Sequence, residues 1–211
     1  MVDVAYENKV INSPATVARG LTFDGKYLWL SDVSEDLLYQ LDLDGNVIKE
    51  VAAPGGAGSG SRGLAFDGKY LYVVDDVNFN IDKIDLDGNI ISTFASPDNG
   101  PTGLTFDGKY LWSASDIADK IYKHDSDGNV IQSFAAPSTL PVGLAFDGKN
   151  LWSYDGTGAI MNKVDFNGNV IKSMSGTRAS GDGMTFDGKN LWVVYRTDNV
   201  IICHPRDHWE F

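Results

Sequence analysis

The sequence predicts an all-β chain of five repeated four-stranded units closed into a ring, and three observations predict it. First, the string Gly-[Leu/Met]-[Thr/Ala]-Phe-Asp-Gly-Lys occurs five times, beginning at Gly20, Gly63, Gly103, Gly143 and Gly183, with spacings of 43, 40, 40 and 40 residues. Second, each copy carries the same two tight-turn signals at fixed offsets. Third, the last copy is short by one strand, and a strand without a unit stands at the N-terminus. A period near 40 with four strands per unit is the pattern of a β-propeller blade, whose faces are buried only by neighbouring blades.

Within the first copy, Gly20–Phe23 reads as inner strand A. Asp24-Gly25 is a hairpin turn in which glycine supplies the positive φ. Tyr27–Ser31, aromatic and branched, is strand B, and Leu37–Asp42 is strand C. Asp44-Gly45-Asn46 forms a second hairpin, and Val47–Ala52 is outer strand D. The blades span about 20–54, 63–97, 103–137, 143–176 and 183–207, making 1–211 one propeller domain. The recurring Phe23, Phe66, Phe106, Phe146 and Phe186, with Trp29, Tyr72, Trp112, Trp152 and Trp192, are inter-blade core and not a sugar-stacking platform. Each buried aromatic of this size contributes about 1.5–3 kcal/mol.

The fifth copy has strands A to C and then stops. The opening run Asn8-Lys9-Val10-Ile11-Asn12-Ser13-Pro14 resembles Asn129-Val130-Ile131-Gln132-Ser133 followed by Ala-Ala-Pro. The N-terminal strand 8–14 is therefore expected to complete the last blade, removing an exposed sheet edge.

Composition excludes several partners. Lys and Arg number 17 against 29 Asp and Glu, a net charge of −12. That argues against nucleic acid, which needs clustered cations, and against an anionic membrane surface. No apolar run is long enough to insert into a membrane. MVDVAYENKV lacks the basic start and apolar run of a signal peptide, so a soluble monomer is expected, its compartment unassigned. Cys203 is the only cysteine, so no internal disulfide forms.

Connectivity puts every Phe-Asp-Gly-Lys and Asp-x-Asp-Gly-Asn turn on one face, the bottom. The B–C loops and D-to-A connections share the top. The bottom turns are nearly identical among the copies, whereas the top loops all differ. A rigid scaffold with divergent loops on one face is where binding groups gather. The residues just before each inner glycine are Arg19, Arg62, Thr102, Val142 and Asp182, expected to ring the channel mouth. The candidate ligand site is Arg19, Arg62 and Asp182 with Asp32, Asp75, Asp155, Tyr195 and Arg196 around it. Arginine suits a carboxylate or phosphate; aspartate suits an amine or cation. The competing reading is that these charges pair across the channel and hold blades in register. Should the mouth do chemistry, Asp182 or Asp155 is its acid/base, since no histidine is placed there.

Other constellations read as structural. Asp42-x-Asp44 and Asp85-x-Asp87 resemble the start of a calcium loop but lack the twelfth-position glutamate and flanking helices, so they are hairpin turns first and calcium ligands only as an alternative. No other cofactor is expected. His124 and His204 occupy an inward strand C position and read as satisfied core histidines. His204 and His208, four apart outside a helix, do not converge on a metal. Gly55–Gly60 is a lengthened rim loop, with a lid as the alternative.

The pattern G-L-[TA]-F-D-G-K-x-L-W…D-x-x-G-x-[VI] is similar to the repeats of streptogramin-lyase-like and NHL-like propellers. In blade count, and in the run Val142–Gly148 leading to Tyr154-Asp155-Gly156-Thr157, the chain resembles plant-type glutamine cyclotransferases. The resemblance implies a five-bladed ring with a site at its mouth. Those enzymes place a glutamate before one inner Gly-Leu, where this chain has an acid only at Asp182. The lyases use a histidine and a metal near the axis, and this chain has no histidine there. The function favoured is a ligand- or protein-binding propeller taking a small polar ligand, peptide or protein at the top. The alternatives are a cyclotransferase- or lyase-type enzyme and a structural repeat domain without a site.

Overall fold

The computed structural model describes residues 9–55, 60–178 and 180–205. The chain opens with β1 (Lys9–Asn12). Blade 1 is β2 (Ala18–Phe23), β3 (Leu28–Asp32), β4 (Leu37–Leu41) and β5 (Val47–Ala52). Blade 2 is β6 (Ser61–Phe66), β7 (Leu71–Asp75), β8 (Asn80–Ile84) and β9 (Ile90–Ala95). Blade 3 is β10 (Pro101–Phe106), β11 (Leu111–Ser115), β12 (Lys120–His124) and β13 (Val130–Ala135). Blade 4 is β14 (Pro141–Phe146), β15 (Leu151–Asp155), β16 (Ile160–Val164) and β17 (Val170–Ser175). β18 (Gly181–Phe186), β19 (Leu191–Tyr195) and β20 (Val200–His204) form blade 5, and β1 pairs antiparallel with β20 as its outer strand. The fold is a five-bladed β-propeller closed by its N-terminal strand.

The register of β1 refines the sequence match. Lys9 lies opposite Cys203 as Lys49 lies opposite Gln40 and Gln132 opposite Lys123. The correspondence thus runs through the proline, and Ile11, not Val10, takes the inward place of Val51 and Phe134. The seam contact repeats as well: the Lys9 ammonium reaches Asp44 of blade 1 as the Lys49 ammonium reaches Asp87 of blade 2.

The inner strands begin two residues before the glycines, so Arg19, Arg62 and Asp182 lie inside strands. Each inner strand shifts register there: between Ala18 and Leu21, Ser61 and Leu64, Pro101 and Leu104, Pro141 and Gly143, and Gly181 and Met184. A bulge of this kind bends the strand and re-aims a side chain. Here it delivers the residue before each glycine to the axis.

The glycines are required at that place. β2 touches β6, β6 touches β10, β10 touches β14, β14 touches β18, and β18 returns to β2. A Cβ on Gly20 would fall within 3.0 Å of the Arg62 backbone, on Gly63 of Thr102, on Gly103 of Val142 and Leu144, on Gly143 of Asp182, and on Gly183 of Arg19 and Leu21. Five inner strands pack this closely only where no side chain intervenes.

The core is five separate seams. Trp29, Leu38 and Val51 of blade 1 meet Leu64, Leu71 and Val73 of blade 2, and equivalent sets form the other four interfaces. The Phe-Asp-Gly-Lys aspartate ties turn to seam. Asp24 Oδ1 accepts the Lys26 and Tyr27 amides at 2.9 and 2.7 Å, and Oδ2 accepts the Trp29 indole N–H at 2.8 Å. Asp107, Asp147 and Asp187 do the same for Trp112, Trp152 and Trp192, while Asp67 meets the Tyr72 hydroxyl at 3.2 Å. The buried indoles are satisfied by their own blade.

At the second bottom turn, Asp42 Oδ1 accepts the Asp44 and Asn46 amides, and its Oδ2 accepts the Asn46 side-chain amide. Asp85 does likewise. The calcium-candidate aspartates Asp42 and Asp85 therefore close their own turns, and Asp44 and Asp87 face lysine ammonium groups. Among the described residues no three His, Cys, Asp or Glu side chains gather as a metal-holding group.

Gly143→Ala is expected to destabilise the protein by about 2–3 kcal/mol, because the overpacked atom meets backbone and not a yielding side chain. Urea unfolding measures it, with Ala52→Gly on an outer strand as the comparison, expected to cost about 1 kcal/mol or less.

Candidate functional site at the top mouth

The bulged inner strands bring Arg19, Arg62 and Asp182 together at the top of the channel, and the first residues of three B–C loops add Asp76, Asp116 and Arg196. All of them but Asp76 line a cavity of about 190 Å³ whose remaining wall is Leu140, Val142, Gly156, Ser180 and Gly181. Arg19 Nη1 donates to Asp182 Oδ2 at 2.8 Å across the seam between blades 5 and 1, and Arg196 Nη1 stands 3.9 Å from the same oxygen. Arg62 pairs through Nε with Asp76 and through Nη1 with Asp116 at 3.5 Å.

Two electrostatic halves result. Two guanidinium groups share the one carboxylate of Asp182, and two carboxylates share the one guanidinium of Arg62. Burial pushes the Asp182 carboxyl above the ordinary carboxylate range, against the pull of Arg19, Arg196 and Arg62. Burial likewise raises Asp76 against the pull of Arg62 and Arg19. Arg19 Nε is buried and has no acceptor among the described residues.

The remaining sequence candidates do other work. Asp32 accepts the Ser34 and Val17 amides at 2.9 and 3.1 Å, Asp75 the Val77 and Asn78 amides at 3.0 and 2.8 Å, and Asp155 the Thr157 and Gly158 amides at 2.8 and 3.1 Å. Each closes its own B–C loop as an Asx turn. Burial would raise Asp32, but the Thr16, Ser34 and Val17 amides outweigh it and hold its carboxyl low. Tyr195 is buried in the seam between blades 4 and 5, its hydroxyl 3.2 Å from Thr177 Oγ1 and 3.1 Å from His204 Nε2. His124 is also a core residue, bonded to Ser113 Oγ at 2.8 Å and to the Gly128 carbonyl at 3.1 Å. In the Gly55–Gly60 rim loop, residues 56–59 lie outside the described residues, as does His208.

Asp76 and Asp116 were not singled out by sequence. Their signal is positional: they follow the loop-closing residue, as Val33, Gly156 and Arg196 do, and that position holds four residue types in five copies.

The fold and mouth define a five-bladed propeller with a small, charged, half-apolar cavity at one end of its channel. Comparison with solved structures agrees on the fold. Glutaminyl cyclase from Myxococcus xanthus superposes with a TM-score of 0.78 at 16% identity, covering 92% of this chain and 93% of that one. Virginiamycin B lyase from Staphylococcus aureus gives 0.57 at 21% identity, covering 92% and 67%. A chain of a nidogen/laminin complex gives 0.68 at 22% identity, covering 92% and 78%. No protein-family model matches the chain, and no curated protein matches it in sequence.

Arg19→Met removes the main partner of a buried carboxylate and is expected to cost about 2–3 kcal/mol at pH 7.5. Asp182 then takes a proton more readily in the folded than in the unfolded state. The loss is therefore complete above its raised folded pKa and shrinks as pH falls through it towards the unfolded value. Urea unfolding at pH 7.5 and pH 5 reads this, and Arg19→Met/Asp182→Asn recovers most of the loss at pH 7.5.

Proposed function

We propose that the protein is a binding module whose top mouth holds an amino-acid-sized zwitterion with a short aliphatic side chain. The observation that carries the reading is the half of the mouth where the Arg19 and Arg196 guanidinium groups share the one carboxylate of Asp182. A ligand carboxylate completes that half through charge-assisted bonds. Its ammonium faces Asp116, and its side chain lies against Leu140, Val142 and Gly156. The size supports the class: about 190 Å³ is below the roughly 300 Å³ at which drug-sized pockets begin.

The specific observation favouring an enzyme instead is Asp182, a buried carboxyl with a raised pKa, in a ring that superposes on a glutaminyl cyclase. Such a group suits proton transfer. Against it stands the 2.8 Å bond that commits Asp182 to Arg19.

Calorimetric titration with L-valine, isobutyrate and isobutylamine separates the readings. Valine is expected to bind tightest and isobutyrate more weakly, with the amine weakest. Arg196→Met is expected to weaken valine about tenfold, or about 1.4 kcal/mol, and Gly156→Val to block the aliphatic corner. Turnover of N-terminal glutaminyl peptides that disappears in Asp182→Asn would establish the enzyme reading. Silence from all three probes and no turnover would leave a structural repeat domain.

A further inference from the structure

The five seams are copies of one another, so each serves as a control for the rest. Between blades 3 and 4 the residue after Asp165 in the bottom turn is Phe166. Its ring lies nearly parallel to Trp112 at 5.5 Å between centroids and stacks on Phe146 at 6.1 Å, with Lys123 Nζ at 5.6 Å from its centre. Leu43 and Leu86 are half-buried at the corresponding place in the seams between blades 5 and 1 and between blades 1 and 2. Between blades 2 and 3 the corresponding residue is Ser126, which is exposed, and the indole is replaced by Tyr72. A cavity of about 180 Å³ is found there, walled by Tyr72, Phe94, Phe106 and Leu111, with Asp67, Lys83, Lys109 and Asp125 at its rim.

We infer that this bottom-face seam is a binding site for a small aromatic molecule carrying a ring N–H or O–H, of indole or phenol size, whose ring takes the place Phe166 occupies in the next seam. The walls correspond one for one: Tyr72 to Trp112, Phe94 to Phe134, Phe106 to Phe146, and Lys83 to Lys123. The volume suits one or two fused rings, since an apolar cavity of about 150 Å³ admits benzene. The cation is already positioned. Lys83 Nζ stands 4.5 and 5.0 Å from the Tyr70 and Tyr72 ring centres, as Lys123 stands 4.0 and 5.1 Å from Tyr110 and Trp112, and an ammonium in that position attracts a further ring face. The carboxylates of Asp67 and Asp125 accept from a donor on the ring and repel an aromatic carboxylate. The site lies on the face opposite the mouth and stands whether or not the mouth binds an amino acid.

The test is a heteronuclear NMR titration of the 15N-labelled chain with indole. Saturable shifts are expected at the amides of Tyr72, Lys83, Phe94 and Phe106 in the wild-type and in Ser126→Ala. Ser126→Phe supplies the missing ring from within and is expected to weaken indole at least about tenfold. Ser126→Leu, the residue type that Leu43 and Leu86 place there in two other seams, fills the same space and serves should the first variant fail to fold. Cyclohexanol, similar in size to phenol but without a π-face, is expected to bind at least about tenfold more weakly than phenol. Absence of saturable shifts at these amides, equal indole affinity in the filled variants, or equal affinity for cyclohexanol and phenol would each overturn the inference.

Discussion

The close approach of five inner strands at the axis is the constraint on which the rest of the structure depends. At Gly20, Gly63, Gly103, Gly143 and Gly183 the backbone of the next blade occupies the space a Cβ needs. Steric demand there forces glycine, and the bulge beside each glycine then decides what the channel mouth contains. Because the bulge aims one side chain per blade at the axis, five positions can vary freely while the packing around them stays the same. The seams depend on this geometry too. Only when the inner strands crowd together do the indoles of one blade reach the leucines of the next.

The fold was legible because the sequence repeats itself, so recurrence separated what packing demands from what it tolerates. The same comparison was less decisive at the mouth. Arg19, Arg62, Asp182 and Arg196 were found by divergence and converge on one cavity. Asp32, Asp75 and Asp155 belong to the divergent loops as well, yet an aspartate recurring in three of five copies was itself a sign of a turn requirement, which their amide bonds display. Asp76 and Asp116 were overlooked because the residue beside them carried the recurring pattern. The offset of β1 was hidden for a physical reason. A two-residue apolar match, Val10-Ile11 to Val130-Ile131, is weaker evidence than the proline that follows four of the five outer strands, and only the pairing with β20 shows which governs.

Charge is distributed by the same logic. On the bottom face aspartates are spent on turns and indoles, so much of the net charge of −12 is structural. At the top, arginine and aspartate are apportioned unevenly around the ring, and blade 4 contributes no charge to the mouth wall. Arg19 pairs with Asp182 across the seam between blades 5 and 1, and Arg62 with Asp116 across that between blades 2 and 3, so the mouth charges also tie neighbouring blades. The superposition with a glutaminyl cyclase and a virginiamycin B lyase carries the ring architecture and not their chemistry, since identity there is 16% and 21%.

Ring closure by β1 is the claim that most directly joins sequence to structure, and a chain beginning at Pro14 tests it. Without β1 the β20 edge is unpaired and the seam between blades 5 and 1 loses Ile11 and the Lys9–Asp44 contact. The account predicts that thermal unfolding of this truncated chain is broadened and shifted down by more than about 10 °C, as a loss of several kcal/mol does in a domain of this size. It also predicts that a synthetic peptide of residues 5–16 restores the transition. A truncated chain that unfolds as sharply and at the same temperature as the full one, with no response to the peptide, would contradict it.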